Sequence, residues 1–366
     1  MIIDEVGGGN YEKIILQFSQ TNEKEIESLL YITNKLLCRL DKFSNGWLLQ
    51  LNIYQLNRFL NECRKQNFTR HEINSLNKIM DSKKIIWSGK NFNFNLTYDP
   101  IICSIVNCTP DSFFDSEKFN TNSEILNKIE SDLSEGASLI ELGGKSTRPH
   151  HVEVSASEEW RRLEPIIKNI KNNFSRTVLS IDTNSSFVMR NALDKYDVDI
   201  INDIDGFENK DKLRIVNEYR PSIVLMNNGR DGTKRVPDQF KYFNSKLAQL
   251  SSFGLKKSRI VIDPGIGFSL NGNPAEDMIR IKSISKLNQL HLPTMIAISR
   301  KSFMGKLFDL DLNSRLISSI VLENLMMQSG GRILRVHDVK ETKKLIDVVD
   351  SYENTILEDN NIVLKK

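Results

Sequence analysis

The ten residues IICSIVNCTP, at positions 101–110, are the stretch that decides the fold class. Its first part, Ile101–Asn107, is an apolar run of strand length, and the run ends in a polar Asn-Cys-Thr-Pro turn. An open, doubly wound sheet would instead place a Gly-rich turn after its first strand. The opening strand therefore favours a closed barrel over the open alternative.

Seven more apolar runs follow, and amphipathic segments of helical period separate them. The predicted strands are 101–107, 138–142, 178–182, 200–202, 222–226, 260–263, 294–299 and 333–336. The clearest predicted helices are 123–135, 157–172, 274–289 and 312–328. Eight βα units in about 265 residues are what a (β/α)8 TIM barrel requires. We therefore predict an α/β fold with a TIM barrel over residues 89–366.

Residues 1–88 have a different pattern. Short strands are expected at 11–18 and 47–53, and helices at 22–40 and 54–67. Thr69 and Glu72 have the spacing of a capping box ahead of another helix. This region is expected to be a small α+β N-terminal domain that serves packing or assembly without an activity of its own.

Bulk composition narrows the class of protein and its compartment. The 366 residues carry 50 basic and 47 acidic side chains, so nothing indicates a nucleic-acid or membrane partner. The four cysteines form no CxxC pair, and no Cys or His spacing is typical of zinc. No secretory signal and no apolar stretch of about 18 residues is visible. We expect a globular cytoplasmic protein.

Polar residues follow most of the predicted strands, and in a TIM barrel such strand ends form the active site. One group suits the edge of a flat heterocycle such as a 2-amino-4-oxo-pterin: Asp182, Asn202, Asp263 and Lys301. A second group suits an anion or a metal-bound phosphate: Asn107, Arg335 and His337, with Ser302 nearby. Glu141 and Arg300 also lie at strand ends. One pocket with these two ends implies a heterocycle activated by a diphosphate.

Seven short segments, in this order, resemble the dihydropteroate synthase family. They are 107–113 (NCTPDSF), 143–149 (GGKSTRP), 180–183 (SIDT), 201–204 (INDI), 263–268 (DPGIGF), 299–302 (SRKS) and 335–339 (RVHDV). The resemblance covers roughly residues 88–355. It implies a TIM-barrel transferase of folate biosynthesis, usually a homodimer and a sulfonamide target. Such an enzyme condenses 6-hydroxymethyl-7,8-dihydropterin diphosphate with 4-aminobenzoate and releases diphosphate.

The resemblance also implies roles for individual residues. The pterin-binding residues would be Asp182, Asn202, Met226, Asp263 and Lys301. The diphosphate-binding residues would be Asn107, Thr147, Arg335 and His337, with Asn107 also contacting Mg²⁺. The residues at the aminobenzoate would be Phe113, Pro149 and Ser302. The catalytic residues would be Asp115, Thr147, Arg148, Asp182 and Lys301.

Several positions depart from the family pattern. Ser116 and Glu117 stand where two glycines are usual, and Lys145 replaces a Glu. The other departures are His150-His151 for a pair of small residues, Asn227-Asn228 for His-Met and Ala297 for a Gly. Two other functions share part of the pattern, namely a pterin-binding methyltransferase domain and a non-catalytic pterin-binding paralogue. The methyltransferase would not explain the anion-binding residues of 299–302 and 335–337.

Overall fold

A computed structural model shows a closed parallel barrel with a smaller α+β domain at one end. It describes residues 1–6, 13–44, 46–66, 68–109, 121–145, 154–229, 238–269, 272–358 and 361–364. The predicted TIM barrel is confirmed, and so is a small N-terminal part with its own β-sheet.

The N-terminal part begins with an antiparallel sheet in the order β1-β2-β4-β3, followed by a separate hairpin of β5 and β6. Its elements are β1 (Ile2–Glu5), β2 (Ile14–Ser19), α1 (Glu23–Lys35), β3 (Arg39–Phe43), β4 (Gly46–Leu51), α2 (Ile53–Lys65), α3 (Arg70–Ser82), β5 (Ile86–Ser88) and β6 (Asn93–Asn95). Alternate residues of β2 are fully buried, as expected for a strand with one face on a core.

Side-chain caps determine where the first three helices begin. Asn22, Asn52 and Thr69 each accept the backbone N–H three residues on, and the side chain there accepts the cap residue's N–H in return. These reciprocal bonds satisfy donors that a helix start leaves unpaired. The predicted capping box of Thr69 and Glu72 is confirmed.

The predicted helix 22–40 is wrong at its carboxyl end. Helix α1 ends at Lys35, Leu37 adopts a positive φ of 54°, and 39–43 form the edge strand β3. Most of β3 is exposed, so its sequence carries little of the hydrophobic pattern that reveals a strand. The short strands β1, β5 and β6 were not predicted either.

Eight parallel strands close the barrel in chain order. The elements are β7 (Ile101–Asn107), α4 (Asn122–Ser134), β8 (Leu139–Gly143), α5 (Ala156–Asn173), β9 (Val178–Asp182), α6 (Ser186–Tyr196), β10 (Ile200–Asp203), α7 (Lys210–Tyr219), β11 (Ser222–Met226), α8 (Gln239–Ser252), β12 (Ile260–Asp263), α9 (Pro274–Lys282), α10 (Ile284–Leu287), β13 (Thr294–Ile296), α11 (Ser302–Phe308), α12 (Arg315–Gln328), β14 (Gly331–Val336) and α13 (Val339–Glu353). The predicted bounds of β7, β9, β11 and β12 are confirmed.

The other predicted barrel strands and helices differ from the structure at one or both ends, by one or two residues in β8, β10, β14, α4 and α5 and by more in three places. Strand β13 ends at Ile296 rather than 299, although Ile298 is still fully buried, so the apolar run continues past the strand. The predicted helix 274–289 divides at Ser283 into α9 and α10. The predicted helix 312–328 begins at Arg315, after the unpredicted α11.

The β5–β6 hairpin closes the barrel at the amino ends of its strands. Trp87 is fully buried and packs edge-on against Phe92 at 5.1 Å between ring centroids. Both rings share one core cluster with residues at the strand starts, namely Cys103, Leu139, Val178 and Ile200. The division into domains 1–88 and 89–366 stays a prediction, and residue 88 is the last residue of β5.

The carboxyl end of the chain returns to the N-terminal domain. After α13, strands β15 (Thr355–Glu358) and β16 (Asn361–Leu364) form a hairpin. Asn52 donates a hydrogen bond of 3.0 Å to Glu353, and Arg58 donates one to Asn354. Within the described ranges, no helix is both long and apolar enough to span a bilayer.

Candidate active site at the carboxyl ends of the barrel strands

The barrel brings the predicted strand-end residues to one mouth because its parallel strands all end there. Asn107, Asp182 and Asp263 are the last residues of β7, β9 and β12. Asn202 lies near the end of β10, and Met226 ends β11. Lys301 precedes α11, and Arg335 and His337 lie at the end of β14 and just beyond it.

Glu141 is the centre of a buried hydrogen-bond network that links four strands. Its carboxylate accepts from Ser180 at 2.9 Å, from Asn202 at 3.1 Å and from Arg335. The side chain is 1% exposed. The sequence predicts Glu141 at a strand end but indicates no role for it. The available signal was a single carboxylate inside an apolar strand, where an unpaired charge would be costly.

Arg335 joins this network to the pterin-binding candidates. Its guanidinium forms ion pairs with Glu141 and, at 2.9 Å, with Asp182. Burial, opposed by the Arg335 guanidinium, raises the pKa of Asp182 to about 7. Asp182 thus changes its charge near neutral pH. The diphosphate-binding role of Arg335 stays a prediction. In the structure Arg335 contacts Asp182, which is one of the predicted pterin-binding residues.

Asp263 and Lys301 form the opposite side of the mouth. Asp263 is buried and accepts the Gly265 N–H at 2.7 Å. Burial raises the pKa of Asp263, and the Lys301 ammonium acts against this rise. Burial also lowers the pKa of Lys301 to about 8, opposed by the Asp263 carboxylate. The two groups support each other's charged forms.

Gly267 lets Lys301 reach its position. A Cβ at Gly267 would lie 2.6 Å from the Lys301 Cδ, and the glycine has a φ of +87°. The Lys301 ammonium donates to the Ile266 carbonyl and lies 5.1 Å from the centre of the Phe268 ring. Phe268 lies in the matching segment 263–268, and the sequence alone assigns it no role. A partly exposed ring here provides an apolar face next to the buried charges.

The remaining described candidates lie at the edge of this group. His337 Nδ1 is 3.2 Å from the Ser299 hydroxyl, while Arg300 makes a two-bond ion pair with Asp338. Ser302 is exposed at the start of α11. Nine further predicted or departing residues lie outside the described part of the chain: Phe113, Asp115, Ser116, Glu117, Thr147, Arg148, Pro149, His150 and His151.

The donor set fits Mg²⁺ only where a substrate supplies most of the ligands. Among the described residues, no group of three or more His, Cys, Asp or Glu is arranged to hold a metal ion. Asn107 offers one amide oxygen, which lies 3.5 Å from where a Cβ on Gly143 would be. Mg²⁺ commonly binds through one or two protein oxygens, waters and substrate phosphates. An amide oxygen beside a diphosphate satisfies that requirement.

Comparison with known proteins agrees with this geometry. A family model for pterin binding enzymes matches residues 103–337. A dihydropteroate synthase of Haemophilus influenzae is 31% identical over 264 residues, which cover 70% of this chain and 94% of that relative. The solved dihydropteroate synthase of Xanthomonas albilineans in complex with 7,8-dihydropteroate has a TM-score of 0.63 and 28% identity, covering 71% of this chain and 96% of that one.

A third relative matches a longer stretch. A bifunctional dihydropteroate synthase/dihydropteroate reductase of Helicobacter pylori is 28% identical over 313 residues, which cover 82% of this chain and 78% of that relative. Because the family model matches more than half of its length, the chain belongs to the pterin-binding enzymes. Within that class it is a member of the dihydropteroate synthase family and a transferase. This membership favours the synthase over the methyltransferase and non-catalytic alternatives.

Proposed function

We propose that this chain joins 6-hydroxymethyl-7,8-dihydropterin diphosphate to 4-aminobenzoate, with the pterin held among Asp182, Asn202, Asp263 and Lys301. The observation that carries the proposal is the convergence of these four side chains at one end of the barrel. Carboxylates accept hydrogen bonds from the amino and ring N–H groups of a pterin, and an ammonium donates to its carbonyl or ring nitrogen. Met226, buried at the end of β11, would pack against the ring.

The reaction breaks the bond between the pterin methylene carbon and a diphosphate oxygen. The pair of electrons leaves with the diphosphate, and a cation delocalised into the ring remains. The aniline nitrogen of 4-aminobenzoate then forms a new bond to the methylene carbon and loses a proton. An ionised Asp182 would stabilise the cation, because a fixed charge in a shielded site acts strongly on developing charge.

The leaving group would be held by Asn107, Thr147, Arg335 and His337. A bound Mg²⁺, with Asn107 among its ligands, would supply further positive charge to the diphosphate. Phe113, Pro149 and Ser302 would hold the aminobenzoate, and Asp115, Thr147 and Arg148 would lie at the reacting carbon. A sulfonamide would compete at the aminobenzoate position. Positioning of the two substrates would supply much of the remaining acceleration.

We also propose that the chain forms a homodimer through α12. Ile317, Val321 and Leu325 recur every four residues along this helix and are 76%, 53% and 51% exposed. Such a stripe is unusual on a monomer and typical of an interface. Ile317→Glu would place a charge in the stripe and should convert the dimer to a monomer in sedimentation velocity. An unchanged sedimentation coefficient would exclude α12 as the interface.

We propose a cytoplasmic location on the basis of the thiols. Cys38, Cys63, Cys103 and Cys108 all lie in the described part of the chain, and each is free. Burial raises the pKa of Cys63 and Cys108, so these two remain protonated and unreactive. Reduced buried thiols are typical of a reducing compartment.

A second activity, dihydropteroate reduction, is a candidate because of the Helicobacter pylori relative. That match covers 82% of this chain, which is more than residues 89–366 can supply, so it extends into the N-terminal domain. The test is oxidation of NADPH, with and without added flavin, when dihydropteroate is supplied. Oxidation that depends on dihydropteroate would support the activity, and its absence both with and without flavin would remove it.

The main proposal is tested by looking for dihydropteroate itself. Purified protein, both substrates and Mg²⁺ should give a product with the mass of dihydropteroate, and Asp263→Ala should abolish it. Lys128→Met is a suitable control, since Lys128 pairs with Asp132 on α4, away from the mouth. Folded wild-type protein that forms no dihydropteroate would overturn the proposal.

A further inference from the structure

Four polar side chains form a belt around one side of the barrel mouth. Each lies two residues beyond the last residue of its strand, after β8, β9, β10 and β11 in turn. They are Lys145, Asn184, Asp205 and Asn228, which we call the rim chain. Neighbouring parallel strands bring equivalent positions side by side, so four successive strand ends place these residues in a row.

Direct contacts connect the rim chain from end to end. The Lys145 ammonium donates to the Asn184 side-chain oxygen. The Asn184 amide donates to Asp205 at 2.9 Å, and Asn228 approaches the other Asp205 oxygen at 3.5 Å. Lys212 also donates to Asp205, at 3.3 Å. The first and last members of the rim chain, Lys145 and Asn228, are both positions where this sequence departs from the family pattern.

Lys145 forms an ion pair with a buried carboxylate. Glu159 on α5 is 0% exposed, and its carboxylate lies 3.1 Å from the Lys145 ammonium. Within the described part of the chain, neither Glu159 oxygen accepts a hydrogen bond of good geometry, so the nearby Lys145 ammonium acts on this carboxylate through its charge. Gly144 allows this close approach, because a Cβ there would lie 2.9 Å from the Glu159 Cγ. The ion pair with Lys145 therefore offsets a charge that would otherwise be costly to bury.

The backbone connects the rim chain to two pterin-binding candidates, Asp182 and Asn202. Asn184 follows Asp182 in a turn that is fixed by backbone bonds, since the Thr183 N–H donates to the Asn202 carbonyl at 3.0 Å. The Ser185 N–H closes the same turn on the Thr183 hydroxyl at 3.1 Å. Holding Asn184 in place therefore also holds the end of β9 against β10.

We propose that Lys145 is a positioning residue for the pterin end of the site and acts through Asn184 on Asp182 and Asn202. This inference rests on the proposed function. The charges near Asp182 are consistent with it, because Glu159 and Asp203 both act to raise the pKa of Asp182. Lys145 offsets Glu159, and Lys212 offsets Asp203 at 2.9 Å. The facing groups Glu141 and Arg335 complete the charged surroundings of Asp182.

A simpler role for Lys145 would be that of a counter-ion to Glu159 that only stabilises the fold. Two variants separate the roles. Lys145→Met removes both the ion pair and the bond to Asn184. Lys145→Met/Glu159→Gln also removes the buried charge, so it should regain the stability lost by the single variant. Only the positioning role predicts that the double variant still binds the pterin poorly.

The measurements are the Kd for 6-hydroxymethyl-7,8-dihydropterin diphosphate with Mg²⁺, by calorimetry, and the Tm of each variant. We expect Lys145→Met/Glu159→Gln to have a Tm near that of the wild type and a Kd raised about tenfold, a typical effect of losing a residue that orients a binding group. Asn184→Ala should raise the Kd equally and add nothing in the double-variant background. Lys128→Met, which loses an ion pair of comparable burial on α4, should leave the Kd unchanged.

A Kd that returns to the wild-type value in the double variant would overturn the positioning role and leave Lys145 as a counter-ion. Because the readout is binding, it does not depend on turnover. A wild-type protein that binds the pterin diphosphate but forms no dihydropteroate would contradict the proposed function, while the comparison of Kd values would still decide the role of Lys145.

Discussion

The two ends of the barrel contrast sharply, although the same eight strands form both. At the amino ends, Trp87 and Phe92 fill the opening, and the surrounding strand residues are apolar. At the carboxyl ends, Glu141, Asp182 and Arg335 form ion pairs in partly or fully buried positions. The first end is arranged to exclude water and stabilise the fold. The second contains buried charges, which reduce the stability of the fold and are typical of sites for binding or catalysis.

The largest effect should come from breaking the closed end. Trp87→Ala should lower the free energy of unfolding by about 3–5 kcal/mol, because it leaves a large cavity in a packed core. Denaturant unfolding measures this loss. The turnover of the molecules that remain folded should be unchanged, since Trp87 lies at the other end of the strands. A small change in the free energy of unfolding would show that packing of the β5–β6 hairpin contributes little to the stability of the barrel.

The next largest effect should come from the charge of Asp182. Asp182→Asn should lower kcat about 10²-fold or more, the usual loss when a group that stabilises transition-state charge is removed. Pterin affinity should change much less, and the Tm should not fall. Steady-state kinetics with both substrates measures the effect. Unchanged turnover would rule out a role for this charge in the reaction.

A comparison of Arg335 with His337 tests how the pterin end and the diphosphate end of the mouth are divided. Both residues are predicted to hold the diphosphate. Because Arg335 is also paired with Asp182 at 2.9 Å, Arg335→Ala should weaken binding of both the free pterin and its diphosphate, each by about tenfold. His337→Ala should affect only the diphosphate. Calorimetry with the two ligands tests this, and equal behaviour of both variants would contradict it.

The smallest expected effect is on the pH profile. With a pKa of about 7, Asp182 is protonated and neutral at lower pH, so kcat/KM should fall as the pH drops below 7. Lys301, with a pKa of about 8, loses its charge at higher pH, so kcat/KM should also fall above 8. The residual activity of Asp182→Asn should lack the acidic fall. An unaltered acidic limb in that variant would assign the limb to another group.

Much of the barrel could be predicted from its sequence because buried parallel strands appear as nearly continuous apolar runs. Strands β7, β9, β11 and β12 therefore have the predicted bounds. The edge strand β3 was mistaken for part of a helix because most of its side chains are exposed. Strand β13 was predicted too long because its apolar run continues into the core after the strand has ended.

The candidate residues at the mouth could also be predicted, since a parallel barrel gathers its strand ends at one place. Their partners could not. Glu141 meets Ser180 and Asn202 across 39 and 61 residues of sequence, and those contacts depend on the register between strands. The same applies to the rim chain. Lys145 was recognised only as a departure from the family, and its contacts with Glu159 and Asn184 required the folded positions.

The most direct test of the central claim, that the mouth binds a pterin diphosphate and transfers the pterin to 4-aminobenzoate, is diphosphate release. Purified protein is given Mg²⁺, the dihydropterin diphosphate and 4-aminobenzoate, and each is omitted in turn. We predict rapid release only when all three are present. Tight pterin binding without diphosphate release in the complete mixture would contradict the claim.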